Sequence, residues 1–266
     1  MRALAILASH KQTGISGQML AATTAGLTRD PAWEVETIYL ADYQIGPDYP
    51  GHPNPVLREL EKKLLAADVW IISSPTYLGN MSGQLKNFFD CFRRRFYREE
   101  HTGRLFPGKF AGKRYVSLTS CYAGPIKNFI FRASNPPLEQ VDKVLLDAGL
   151  VKVGEAVQTG TRKMKELPQA KVAELTKLGQ EIANPHVKER WTLTVFRYIV
   201  LFFTIALVTL ITMGLQTWLF SFLAVAATFW LSWAVFVVIF FAILSVILHI
   251  LTVMQHKFNK YWPEIP

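Results

Sequence analysis

The chain of 266 residues is half hydrophobic, with a mean hydropathy of +0.19 and a formal net charge of +9; only 18% of it is charged, where soluble domains average roughly 25%. The shortage of charge is local: no Asp, Glu, Lys or Arg occurs in the 59 positions from Tyr198 to His256, whereas 26 basic and 19 acidic residues precede Arg197, a net +7. That contrast argues against a wholly soluble chain, a disordered one, and a multi-pass transporter with its site inside the membrane.

In chain order, Ala3–Ala8 is a short apolar run that stops at Ser9-His10-Lys11 and reads as a buried parallel strand. It is too short for the apolar core of a signal peptide, so the N-terminal part is expected to stay in the cytoplasm. A helix is expected over Ser16–Leu27, and Trp33–Tyr39, alternating with acids, is a second strand nearer an edge. Asp42–Pro55, rich in Pro, Gly and Tyr, is loop. Val56–Ala66 sets Val56, Leu57, Leu60 and Leu64 at helical spacing, and Val69–Ile72 is a third strand. Ser82–Phe96 is the next helix and Arg114–Leu118 the fourth strand. Leu138–Ala148 is an amphipathic helix stopped by Gly149, Val151–Val157 a fifth strand, and Pro168–Ile182 a last helix before the exit at Asn184-Pro185. Five strands alternating with five helices predict an α/β fold, a three-layer sandwich around a five-stranded parallel sheet, over residues 1–185. Such sheets bind ligands beyond the carboxyl ends of their strands.

A basic linker, 186–193, leads to the uncharged stretch, which is long enough for two membrane helices at about 20 residues each. The expected hairpin occupies 194–254, with helices near Thr194–Gly214 and Ala224–Leu251 and a turn at Gly214, Gln216, Thr217 and Trp218. Residues 255–266 form a tail. Lys188, Arg190 and Arg197 precede the hairpin, and His256, Lys257 and Lys260 follow it. Positive flanks on both sides place the N-terminal domain and the C-terminus in the cytoplasm. No acid–base pair lies inside the hairpin, so its expected role is anchorage in the lipid bilayer.

Cys91 and Cys121 cannot form a disulfide framework, and no metal-ligand spacing is present. Between Cys91 and Arg114 lie Arg93, Arg94, Arg95, Arg98, Arg104, Lys109, Lys113 and Arg114. This run reads as a solvated face or mobile loop, or as a patch against anionic headgroups. No nucleic-acid-binding motif accompanies it.

Three loops sit where the chemistry is expected. After the first strand, Ser9-His10-Lys11-Gln12-Thr13-Gly14-Ile15-Ser16-Gly17-Gln18 sets hydroxyls, a cation and glycines ahead of a helix N-terminus, an anion site by its amides and dipole; the alternative is that Thr13 or Ser16 serves only as an N-cap. Neither a dinucleotide fingerprint nor a triphosphate loop fits its spacing. After the third strand comes Ser74-Pro75-Thr76-Tyr77-Leu78-Gly79-Asn80-Met81-Ser82-Gly83-Gln84-Leu85-Lys86-Asn87-Phe88-Phe89-Asp90. A turn capped by Ser82 explains part of that string. As a whole it resembles the signature of the flavodoxin-like NAD(P)H-dependent FMN reductases and their NAD(P)H:quinone reductase relatives, and the resemblance covers about residues 1–185.

The resemblance implies a flavodoxin-like fold with FMN as cofactor and NAD(P)H as reductant. It implies that Ser9, Lys11, Thr13, Gly14, Ser16 and Gln18 hold the FMN phosphate, and that Pro75, Thr76, Tyr77, Leu78, Gly79, Asn80 and Met81 hold the ring. Ser120, Cys121, Tyr122 and Gly124, after the fourth strand, would close the ring's other edge. No catalytic side chain is assigned, because the flavin carries the redox chemistry; Tyr77 is expected to be a ring wall and Cys121 a packing residue. Two departures stand out. Gly46-Pro47-Asp48-Tyr49 lacks the cysteines many relatives carry there, and Arg93–Lys113 is longer and more basic than the usual connection. With the hairpin, the resemblance implies a membrane-anchored oxidoreductase whose acceptor is a small molecule such as a quinone, in a homo-oligomer. The alternative is a non-enzymatic FMN electron-transfer or redox-sensing module docking a membrane partner. A domain that no longer binds flavin and serves as a membrane scaffold is a third reading.

Overall fold

The computed structural model describes residues 1–49, 51–100, 104–189, 194–226 and 228–260. The chain divides into two compact units, Met1–Thr192 and Leu193–Pro266. In the first, β1 (Arg2–Leu7), α1 (Ile15–Leu27), β2 (Glu34–Tyr39), α2 (Pro55–Ala66), β3 (Val69–Pro75) and α3 (Gly83–Phe96) follow the predicted order. A short antiparallel hairpin, β4 (Tyr97–Glu99) and β5 (Leu105–Pro107), was not predicted; it accounts for the long basic connection. Then come β6 (Arg114–Ser120), an unpredicted short helix α4 (Pro125–Phe131), α5 (Asn135–Asp147), β7 (Val151–Gln158) and α6 (Gln169–Ala183).

The five long strands pair in parallel in the order β2-β1-β3-β6-β7. The order reverses between β1 and β3, so a crevice opens at their carboxyl ends. Register fixes that rim: Leu7 pairs with Ser73, and Pro75 with Ser120, which pairs in turn with Gln158. The strands are apolar on both faces, as a sheet covered by helices on both sides requires. Leu4, Ile6, Trp70 and Ile72 pack with α2, α3 and α5, while Ala3, Ala5, Leu7, Val69 and Ile71 pack with α1 and α6.

Two packing details were not visible in the pattern of the sequence. On α3, Phe88, Phe92 and Phe96 recur every four residues, one helical face, and form with Trp70 and Phe110 a continuous aromatic cluster; Trp70 meets Phe110 edge-on at 5.2 Å. On the other side, α1 and α6 cross at Gly26 and Gly179. A Cβ at Gly26 would stand 2.0 Å from the Thr176 carbonyl oxygen, and one at Gly179 2.1 Å from that of Thr23. The fully buried Lys152 pairs with Asp142 at 2.7 Å and with Glu155, while the Tyr115 hydroxyl donates to Asp142 at 2.8 Å. Burial and the neighbouring Asp142 carboxylate push the Tyr115 phenol well above its ordinary pKa, keeping it a donor.

Four of the eight basic residues in that stretch are spent on structure. Arg95 pairs with Asp48 and, at 3.3 Å, with Glu61, which also holds Lys109. Lys113 donates to the carbonyls of Leu65 and Ala67 at the end of α2, and Arg114 donates to Asn184 at 3.1 Å and lies over the Trp33 ring.

The second unit holds α7 (Thr194–Leu223) and α8 (Phe229–Lys260). Within them Leu201–Leu223 and Phe229–Ile250 are long and apolar enough to cross a membrane. The turn expected at Gly214–Trp218 is helical instead. Glycine is tolerated in long apolar helices, and the Gln216 amide reaches the Ser232 carbonyl at 2.9 Å, while Thr217 bonds back to Met213 within its own helix. The helix ends after Leu223, where Ala224 takes a left-handed conformation (φ 49°). The second helix accordingly starts at Phe229 rather than Ala224 and runs to Lys260, past the boundary expected at 254.

Two substitutions test this packing by thermal or urea unfolding of the full chain in detergent. Gly179→Ala is expected to cost about 1–3 kcal/mol, although alanine is the better helix former. Lys152→Met, which strands Asp142, is expected to cost about 3–5 kcal/mol. An unchanged midpoint for either would show that the contact does not exist.

Candidate functional site

The carboxyl ends of β1, β3 and β6 are tied together by buried hydroxyls. The Ser16 and Ser120 hydroxyls lie 2.9 Å apart, and Ser73 donates to the Ser16 carbonyl at 2.7 Å. The Thr76 amide donates to the Ser120 carbonyl at 2.7 Å, and the Thr119 hydroxyl donates to the Ser74 carbonyl at 2.9 Å. Ser74 in turn accepts from the Ser82 amide at 3.1 Å, and Ser82 caps α3 by accepting from Leu85. Each buried polar group thus finds a partner on a neighbouring loop, and leaving one unpaired would cost about 1–3 kcal/mol.

The first loop folds back against α1. Its close approach requires Gly17, since a Cβ there would stand 1.7 Å from the Gln12 carbonyl oxygen. The N-cap of α1 is Gly14, which offers no side chain, and no acid occupies the first turn. Neither Thr13 nor Ser16 is the cap. By contrast Asn54 caps α2 and Ser82 caps α3 with their own side chains. The amides that open α1 therefore face the crevice without a side-chain acceptor, beside the exposed Lys11, an arrangement that favours a phosphate.

The second loop is a two-residue turn. Tyr77 and Asn80 exchange both backbone hydrogen bonds at 2.9 Å, with Leu78 (φ 51°) and Gly79 (φ 78°) left-handed between them. That is the geometry of a type I′ turn. Glycine suits the second position, and Leu78 bears the strain at the first.

Between the loops opens a cleft of about 330 Å³. Nine of the predicted residues line it: Ser9, Lys11, Gly14, Ser16, Pro75, Thr76, Tyr77, Ser120 and Tyr122. The other eight do not. Gln18 acts as a clamp, its amide donating to the Thr13 and Lys165 carbonyls and accepting from the Leu167 amide. Thr13 is held through that bond. Leu78 and Gly79 form the exposed turn tip, the Asn80 side chain accepts from Gln140 at 2.6 Å, and Met81 is buried in the α3–α5 core. Gly124 is the N-cap of α4. Cys121 is buried, its sulfur turned to the Ala123 carbonyl and Asn128. His10, Ile15, Thr161, Arg162 and Met164 also line the cleft. The last three follow β7, and their position after the carboxyl end of a strand on the same rim was the available signal.

Burial pushes the Cys121 thiol up to about 11. Below that value the thiol stays protonated and unreactive, so native protein at pH 8 is expected to leave Cys121 unmodified by iodoacetamide. Peptide mass mapping reads this, and rapid labelling of Cys121 would contradict the buried placement.

Residues 1–119 match the family model described as NADPH-dependent FMN reductase. Comparison with curated protein sequences finds no match. Among solved structures, an azoreductase from Bacillus anthracis superposes with a TM-score of 0.53 at 14% identity, covering 69% of this chain and 99% of that one. An NAD(P)H:quinone oxidoreductase from Methanothermobacter marburgensis gives 0.54 at 16% identity, with 68% and 98% covered. An FMN-dependent NADH-azoreductase from Bacillus anthracis in complex with FMN gives 0.52 at 13%, with 70% and 99% covered. These likenesses establish the fold. The N-terminal unit therefore has a flavodoxin-like fold, and its residues 1–119 are similar to the NADPH-dependent FMN reductase family.

Proposed function

We propose that this chain is a membrane-anchored oxidoreductase that holds FMN in the cleft between its three loops, takes reducing equivalents from NAD(P)H and passes them to a quinone-like acceptor. One observation carries the reading: an uncapped helix N-terminus and a left-handed turn lie on the same rim, locked together by buried hydroxyls. In this assignment the amides of Ile15 to Gly17, the Ser9 and Ser16 hydroxyls and Lys11 bind the phosphate, with Gln18 bracing the loop at Thr13. Pro75, Thr76, Tyr77 and Tyr122 flank the ring, and Ser120 closes the inner edge. The Gly79–Met81 segment shapes the turn behind the ring rather than donating to it, since the Asn80 amide is taken by the Tyr77 carbonyl. Cys121 and Gly124 act by packing and capping. The flavin, when bound, supplies the two-electron chemistry; the protein orients it and leaves one face open. The two apolar helices, with positive residues before and after them, support anchorage with both ends cytoplasmic.

A second reading, an FMN electron carrier, meets an objection in charge. Carriers of this fold are usually acidic, whereas the residues before Arg197 carry +7.

Anaerobic addition of NADH or NADPH to the detergent-purified, FMN-loaded chain is expected to bleach the flavin spectrum within seconds. A spectrum that persists with both nucleotides would favour the carrier, and a chain that takes up no FMN would sink both readings. Lys11→Glu, on the surface, is expected to weaken FMN binding at least about tenfold. Ser16→Asp should weaken it further, and Gly79→Val should strain the turn by about 1–3 kcal/mol. Wild-type FMN affinity in all three would displace the site.

A further inference from the structure

The assignment of the three loops leaves one side chain of the cleft without a task. His10, between Ser9 and Lys11, is the one histidine among the lining residues. Its imidazole is tied to another element. The side-chain amide nitrogen of Gln84 lies 3.1 Å from His10 Nδ1, a bond between residues 74 apart that joins the first loop to the head of α3. An amide N–H only donates, so Nδ1 accepts and the imidazole's own N–H is on Nε2. One nitrogen is thus taken by α3, and Nε2–H is left as a donor on a residue that lines the cleft.

Gln84 makes this contact at a cost. Its Oε1 is buried and has no hydrogen-bond partner, although buried polar atoms normally find one. The bond to His10 is the side chain's one hydrogen bond among the described residues. Helix packing therefore does not account for an amide here, since an apolar side chain would fill the place without stranding an oxygen. Orientation of His10 does account for it. What Nε2–H can meet follows from the rest of the lining. The charged side chains there are Lys11 and Arg162, the phenols are Tyr77 and Tyr122, and no carboxylate is among them. On α3 the nearest charges, Lys86 and Asp90, pair with each other. A donor set beside cations, with no acid to receive it, is completed by an anion from outside.

We propose that His10 is a further ligand of the phosphate group held in this cleft, donating to it from Nε2–H, and that Gln84 is the positioning residue that turns the imidazole to it. The proposal rests on the reading of the cleft as the FMN site. It brings the head of α3, which ends the second loop, into the grip on the phosphate. Because the donor acts on the phosphate and not on the ring system, the pair selects FMN over riboflavin, the same flavin without the phosphate.

The test titrates the full chain in detergent, freed of flavin, with FMN and with riboflavin. His10→Ala is expected to weaken FMN binding about tenfold and Gln84→Leu about threefold. Riboflavin affinity is expected to stay at the wild-type value in both, and the unfolding midpoint is not expected to fall. His10→Gln, whose amide N–H can stand where Nε2–H stood, is expected to recover most of the FMN affinity. Equal losses for FMN and riboflavin, or wild-type FMN affinity in His10→Ala, would overturn the ligand role. A Gln84→Leu chain that binds FMN as wild type does would overturn the positioning role. Nitrogen NMR of the histidine-labelled chain gives a reading that needs no flavin: inorganic phosphate is expected to move the His10 Nε2 resonance, and a neutral imidazole carrying its proton on Nδ1 would contradict the bond to Gln84. A chain that takes up no FMN yet shows that response to phosphate would refute the FMN reading and leave the anion ligand standing. No response of His10 to either phosphate or FMN would refute the inference itself.

Discussion

Buried hydroxyls at the carboxyl ends of three strands have no water to turn to, and the site depends on how they satisfy one another. Ser16 meets Ser120, Ser73 meets the Ser16 carbonyl, and Thr119 meets Ser74, so the loops after β1, β3 and β6 are fixed by mutual need. At the head of α1 the cap is Gly14, which has no side chain, whereas α2 and α3 are capped by Asn54 and Ser82. The network makes the rim rigid, and the glycine cap leaves the first amides of α1 without a side-chain acceptor.

The rim is held from behind by the two cores. The aromatic cluster of Phe88, Phe92, Phe96, Trp70 and Phe110 seats α3, whose capped N-terminus ends the second loop. On the opposite face the glycine crossing of α1 and α6 draws the helix that begins at the cleft close to the helix that follows the β7 loop. Gln18 exploits that closeness to brace Thr13 against Lys165 and Leu167. Precision at the site therefore comes from elements that never touch a ligand.

The two departures from the family pattern turn out to be coupled. Asp48, in the loop where relatives carry cysteines, is the partner of Arg95, which opens the long basic connection, and it also accepts from the Asn54 amide ahead of α2. Part of the charge that reads as a lipid-facing run in the sequence, Arg95, Lys109, Lys113 and Arg114, is taken up by ion pairs, carbonyl contacts and a ring contact.

Order and type of the strands and major helices were legible in the sequence because apolar runs and helical spacings are local, and both faces of a parallel sheet must be covered. The string from Ser74 to Asp90 was legible as a family signature, and the apolar length of the C-terminal stretch fixed two helices that can cross a membrane. Other features needed three dimensions. A serine pair 104 residues apart and helices touching through glycine rest on contacts distant in the chain, and the lysine between two acids rests on a burial that local pattern does not show. The misplaced turn at Gly214–Trp218 has the same origin: polarity alone marked it, but a hydrogen bond from Gln216 to the facing helix lets the backbone continue unbroken. Sequence by itself determined which elements form and in what order. Only the tertiary structure decided which side chains face the cleft, because that depends on partners that local pattern cannot name.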